Sequence, residues 1–161
     1  MRSVVYWIPT ASPGRLAIVP RPRPGDWLED EIRSWRDAGI DAVVSLLTPG
    51  ESFELGLHAE AAICGAHQIE FLPFPVQDRQ VPLSKAAFLE LVESIGRRLD
   101  QGRAVAIHCR MGVGRSAMLA AAVLVRQGDD PERAFRHVAE ARGVDVPDTV
   151  AQRQWVEDLA R

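Results

Sequence analysis

The chemistry-bearing stretch of this 161-residue chain is His108-Cys109-Arg110-Met111-Gly112-Val113-Gly114-Arg115-Ser116. It lies between an apolar run, Ala104 to Ile107, and a second one, Ser116 to Val125, rich in Ala, Leu, Met and Val. The first suits a buried strand and the second a buried helix. Strand, glycine-bearing loop and helix N-terminus together make an anion site, because backbone N–H groups curl inward and the positive end of the helix dipole points at the same spot. Cys109 opens the loop and Arg115 closes it. A thiol at a helix N-terminus beside Arg and His is kept in its nucleophilic thiolate form. Arg115 offers a planar fork for two oxygens of a phosphate. Gly112 and Gly114 let the backbone turn and approach a ligand without a Cβ in the way. The amides of Arg110, Met111, Gly112, Val113 and Gly114 then line a phosphate cradle, and Ser116 can donate its hydroxyl to the sulfur as a covalent intermediate breaks down.

These nine residues resemble the HCxxGxxR(S/T) motif of cysteine-dependent protein tyrosine and dual-specificity phosphatases, and match it at every fixed position. The resemblance implies a single-domain α/β phosphatase fold over residues 1–161, with a mostly parallel central sheet of about four to five strands flanked by helices. It implies hydrolysis of phosphate monoesters through a phosphocysteine, with no cofactor and no metal. It gives His108 a role in tuning the thiolate through hydrogen bonds, and places a general-acid Asp on a loop some thirty residues before the Cys, in a P-x-x-D-x-x-x-P pattern.

Pro75, Asp78 and Pro82 fit that pattern, and Asp78 precedes Cys109 by 31 residues. Cleavage of a phosphate ester needs a proton for the leaving oxygen, and a carboxyl on a mobile proline-rich loop can deliver it. Asp41, Asp100 and Asp148 are rivals, none of them on such a loop. Gln152 lies in a segment, Val146 to Gln152, that resembles the loop where some family members keep a water-orienting Gln. A second such Gln of the tyrosine-specific members falls on Asp148, a departure. Gln152 is thus either a water-positioning residue or an exposed helix residue.

Composition narrows the rest. Apolar residues make up 47% and charged residues 25%, as in a globular domain with a proper core. A net charge of −3 gives no reason to expect nucleic acid as a partner. No apolar run reaches the length of a membrane span, and the N-terminus is too short in apolar residues for a signal peptide. Two cysteines, one of them a nucleophile, suit a reducing, cytoplasmic setting. With 18 Arg against a single Lys, Lys85, and much Ala, the composition fits GC-biased coding of a bacterial kind. His58, His67 and His137 have no metal-ligand spacing. Cys64 reads as a core residue or as a resolving thiol for an oxidised Cys109.

The remaining elements follow from periodicity and punctuation. Val4–Ile8 and Arg15–Val19 read as a hairpin about a Pro-Gly turn. Pro20 to Gly25 reads as a stiff connector or a polyproline ligand. Asp26 is expected to cap a helix from Trp27 to Ala38. Ala42–Leu47 reads as a parallel strand and Thr48 to Glu51 as a loop at its ligand-facing end. Phe53–Cys64 is expected as one helix, Glu70–Phe74 as a strand, and Lys85–Leu99 as a helix capped by Ser84, burying Ala87, Leu91, Ile95 and Leu99. Helices from Pro131 to about Arg142 and from Asp148 to Leu159 complete the chain.

The substrates expected are phosphorylated proteins, at phosphotyrosine and also phosphoserine or phosphothreonine, with small phosphate esters such as phosphoinositides as the alternative. The short chain lacks a phosphotyrosine-clamping insertion, which favours a shallow cleft. A rhodanese-like sulfurtransferase usually has four residues between Cys and Arg, where this loop has five. A phosphate-binding pseudo-enzyme is argued against by intact Cys109, Arg115 and Asp78. The oligomeric state is not legible from these features.

Overall fold

The computed structural model describes residues 3–161. Five strands form one sheet: β1 (Tyr6–Ile8), β2 (Arg15–Ile18), β3 (Ala42–Ser45), β4 (Glu70–Pro73) and β5 (Ala104–His108), in the order β1-β2-β5-β3-β4. Only the β1–β2 hairpin is antiparallel. β5 runs parallel to β2 and β3, and β3 parallel to β4. The chain therefore passes from β2 to β3, outward to β4, and back to fill the centre with β5. All five residues of β5 are buried, as a strand covered on both faces demands.

Successive strand residues point to opposite faces. Leu16, Ile18, Val44, Val105 and Ile107 join one core, against α4 (Lys85–Asp100), α5 (Arg115–Arg126), α6 (Pro131–Arg142) and α7 (Val150–Leu159). Ala17, Val19, Val43 and Ala106 join the other, against α1 (Leu28–Asp37) and α3 (Glu60–Ala66). The Ala-rich α5 is buried along most of its length and packs on α4, α6 and α7. Small side chains at Ala120, Ala121 and Ala122 allow that crowding.

The structure departs from five sequence expectations. Thr48 to Glu51 is the start of a helix, α2 (Pro49–Glu54), because Thr48 and Glu51 form a reciprocal capping box with Pro49 in the first turn. The single helix expected over Phe53–Cys64 is broken after Glu54, where Gly56 takes φ +70°, and resumes as α3. α1 starts after a short 3-10 turn, Gly25–Trp27, rather than on an Asp26 cap. α7 begins at Val150, with Thr149 and Gln152 as a second capping box. On α4 the buried stripe is Phe88, Val92, Ile95 and Leu99, rotated from the one expected: Ala87 and Leu91 stay partly exposed.

Candidate active site

The nucleophile loop joins the C-terminal end of β5 to α5, at the point where strand order reverses and loops from β3 and β4 meet it. The first turn of α5 carries no acidic residue, and its N-cap, Gly114, supplies no capping side chain, so the helix end stays electropositive. Cys109 Sγ lies within this ring, 2% exposed, and accepts the Gly112 N–H at 3.2 Å. Gly112 has φ +71°, a conformation that a side chain would strain. Among the described residues, the N–H groups of Arg110, Met111, Val113 and Gly114 enter no hydrogen bond.

The loop's carbonyls are occupied from outside. Arg21 donates to Arg110 O at 2.5 Å, and Arg142 donates to Gly112 O at 3.0 Å and Met111 O at 3.3 Å. The Arg142 guanidinium also stacks 4.3 Å over the Tyr6 ring. With carbonyls bound on the outer side, the amides are left for the inner side, which is how a nest for an anion is built. Sequence reasoning passed over both arginines.

Arg115 is 1% exposed. Its Nη1 and Nη2 meet Glu51 bidentately at 2.7 and 3.0 Å, and Nη1 also donates to Val76 O at 2.8 Å. Asp78 Oδ1 lies 3.2 Å from Nη2. Burial works against the guanidinium charge, but the Glu51 hydrogen bond and the negative charges of Cys109, Glu51 and Asp78 outweigh it and hold Arg115 above its ordinary value. Burial likewise opposes the Glu51 carboxylate, yet Arg115 and the Thr48 backbone N–H hold it below its ordinary value. Glu51 was legible only as part of a loop, and its capping motif with Thr48 was the signal available. Arg110, at the rim, lies 3.7 Å from both Glu51 and Glu54. Met111 projects into solvent, while Val113 packs on the core.

Asp78 sits at the tip of a tight turn closed by Gln80 N–H to Gln77 O at 3.0 Å, with Arg79 at φ +63°. Its side chain is 51% exposed. The turn is tied down on both sides of Asp78, by Arg115 to Val76 O and by Gln152 Nε2 to Gln80 O at 3.2 Å. Gln152 is fully buried rather than exposed, and its Oε1 accepts the Thr149 N–H at 3.3 Å. It also presses on the cradle: a Cβ on Gly114 would come within 2.9 Å of Gln152 Oε1 and of Asp148 Oδ2.

His108 takes the opposite face from Cys109, as strand alternation requires. Its Nε2 is 2.6 Å from Glu60 Oε2, both side chains being buried, and its ring lies against Trp35 at 6.1 Å. Glu60, on α3, went unremarked in the sequence. The Ser116 hydroxyl is buried and has no hydrogen-bond partner among the described residues, so no bond to the Cys109 sulfur forms here. Cys64 belongs to the core across the sheet from Cys109, and burial together with the charge of Glu60 pushes its thiol up to about 12. It is a packed core residue, as the first of its two readings held.

Comparison with known proteins agrees with this geometry. A family model described as "Polymorphic toxin system, DSP-PTPase phosphatase" matches residues 19–129. Human cyclin-dependent kinase inhibitor 3 is 25% identical over a 140-residue alignment that covers 82% of this chain and 63% of that protein. The chain thus spans less than two thirds of the length of the curated relatives it matches. Among solved structures, kinase associated phosphatase with its catalytic-site cysteine replaced by serine superposes with a TM-score of 0.89 at 20% identity, covering 99% of this chain and 94% of that one. Tk-PTP in its active form superposes at 0.74 with 28% identity, covering 91% and 92%.

Proposed function

The chain belongs to the DSP-PTPase phosphatase family, and on that footing we propose that it hydrolyses phosphate monoesters on proteins, with Cys109 as nucleophile, Arg115 as phosphate ligand and Asp78 as general acid. The observation that carries the reading is the convergence of Cys109 Sγ in the amide ring, a buried Arg115 and Asp78 Oδ1 3.2 Å from that guanidinium.

The Cys109 thiolate attacks phosphorus in line with the ester oxygen, forming the S–P bond as the P–O bond breaks. The loop amides of residues 110 to 114 and the Arg115 fork hold the equatorial oxygens, where charge must be stabilised. Asp78 gives its proton to the departing oxygen. Water then attacks the phosphocysteine, the P–S bond breaks, and the Asp78 carboxylate takes the proton that water gives up. Ser116, whose buried hydroxyl has no partner among the described residues, is assigned to the leaving sulfur. His108 braces the strand end through Glu60. The Gln152 amide is held by the Thr149 N–H and the Gln80 carbonyl, which leaves one N–H and one lone pair for a water.

An acid half in solvent implies a shallow cleft, which admits phosphoserine and phosphothreonine as well as phosphotyrosine. Among the described residues no helix is long and apolar enough to cross a membrane. A free nucleophilic thiol suits a reducing, cytoplasmic compartment. The fold is shared with PTPMT1, a structure of which holds PI(5)P, so phosphoinositides belong in the same substrate panel.

The test is turnover of phosphopeptides and phosphoinositides by the wild type and by Cys109→Ser. The expected result is turnover of phosphopeptides by the wild type only, with retained binding in the variant. Turnover by Cys109→Ser near the wild-type rate would remove the covalent mechanism. Turnover of phosphoinositides alone would remove the protein-phosphatase reading.

A further inference from the structure

Gln152 touches three parts of the site that no continuous segment joins. Its Oε1 completes the cap of α7, its Nε2 donates to the Gln80 carbonyl in the Asp78 turn, and its side chain abuts Gly114 of the cradle. It is also fully buried. A polar side chain buried to that degree must have its donors and acceptors met, and here the partner that meets its N–H is the acid loop.

The loop's other ties lie on its entry side and at its tip: the Val76 N–H donates to Leu46 O at 3.1 Å, and Asp78 Oδ1 lies 3.2 Å from Arg115. Gln77, Asp78, Arg79 and Gln80 are all exposed, and the loop's prolines remove backbone donors. The two carbonyls that anchor it flank Asp78 two residues away on each side. Val76 O is bound by Arg115, a residue of the cradle, and Gln80 O is bound by Gln152, a residue of α7. The Val76 anchor fixes the loop's entry. The Gln80 anchor holds its exit.

Resting on the phosphatase reading above, we propose that Gln152 is a positioning residue for the general acid: its amide latches the Asp78 loop closed, instead of orienting the hydrolytic water. The two roles act on different steps. A latch affects cleavage of the ester bond, and affects it most where the leaving oxygen most needs a proton. Water orientation affects only the later hydrolysis of the phosphocysteine. Because kcat/KM reports steps up to release of the leaving group, a latch changes kcat/KM and water orientation does not.

The experiment compares kcat/KM for an alkyl phosphate and for p-nitrophenyl phosphate in Gln152→Glu, Gln152→Met and Thr149→Val. Glu keeps an acceptor for the Thr149 N–H and loses the donor to Gln80. Met loses both. Thr149→Val removes the hydroxyl half of the cap and leaves the Gln152 donor. Both Gln152 variants are expected to lose about three- to tenfold more kcat/KM on the alkyl ester than on the aryl ester, the worth of one hydrogen bond. Thr149→Val is expected to lower the melting temperature and leave the alkyl-to-aryl ratio alone. Equal losses on both esters, or a fall in kcat with kcat/KM unchanged, would overturn the latch. So would a shift of the ratio in Thr149→Val as large as in Gln152→Glu, since the helix cap would then be the cause. Asp78→Asn runs in parallel. If it shows no leaving-group dependence, the acid assignment itself fails, independently of what Gln152 does.

Discussion

Asp78 Oδ1 lies 3.2 Å from Arg115 Nη2, so the proposed acid and the proposed phosphate ligand already face one another across the cradle. In the proposed mechanism an entering phosphate would take the place of Asp78 on that guanidinium, and Asp78 would act as the acid in its protonated form, released from Arg115.

Replacing Asp78 with Asn removes that proton and leaves the shape. The loss of kcat/KM is expected to grow with the leaving-group pKa, from about tenfold for p-nitrophenyl phosphate to 10³-fold or so for alkyl esters, within the range that general acids contribute. A series of aryl and alkyl phosphates measures the slope. Equal losses across the series would point to another acid.

Glu51 and Arg115 form the bidentate charge pair of the site. Glu51→Gln keeps the size and gives up the charge, so Arg115 is expected to lose its fixed orientation, with KM for phosphate esters rising about tenfold. The pair also sets a pH dependence. The folded-state pKa of Glu51 is lowered below its ordinary 4.5. The unfolded chain therefore takes up the proton first, and the stability this carboxylate contributes is present above that pH and lost as pH falls through the lower, folded value. Thermal melts of wild type and Glu51→Gln should differ most at neutral pH and converge in acid. A gap that widens in acid would contradict the sign.

Glu60→Ala strands a buried imidazole. Leaving a buried hydrogen-bonding group unpaired, with a cavity where the carboxyl stood, costs about 3 kcal/mol. For a domain of this size that corresponds to a fall in melting temperature of roughly 6–12 °C. Differential scanning calorimetry reads it directly. A change of a degree or two would mean that His108 finds another partner.

Gly114→Ala forces a Cβ to within 2.9 Å of Asp148 Oδ2 and Gln152 Oε1. Those side chains must withdraw, and Gln152 takes its hold on Gln80 with it. Inorganic phosphate, used as a probe of the cradle, is expected to bind about tenfold more weakly than to the wild type, as isothermal titration calorimetry would show. Unchanged affinity would mean that the Asp148–Gln152 wall has no part in shaping the loop.

The cradle was legible in the sequence because it is local. Cys109 through Ser116 are contiguous, so the order strand, Gly112-Val113-Gly114, helix dictates an anion loop with little reference to the rest of the chain. Asp78 was legible from its proline frame. What lay beyond the sequence are the residues that hold these groups in place: Glu51 on Arg115, Glu60 on His108, Arg21 and Arg142 on the loop carbonyls, Gln152 on the Asp78 turn. Each pairing joins segments about 30 to 90 residues apart. Periodicity and capping rules carry no information about which distant side chain meets which. That choice was made by the strand order, which sets β5 between β2 and β3 and so brings the ends of β2, β3 and β4 around one helix tip. Once there, a buried guanidinium, a buried imidazole and a ring of carbonyls each had to find a partner, because an unpaired polar group in that interior is too costly to keep.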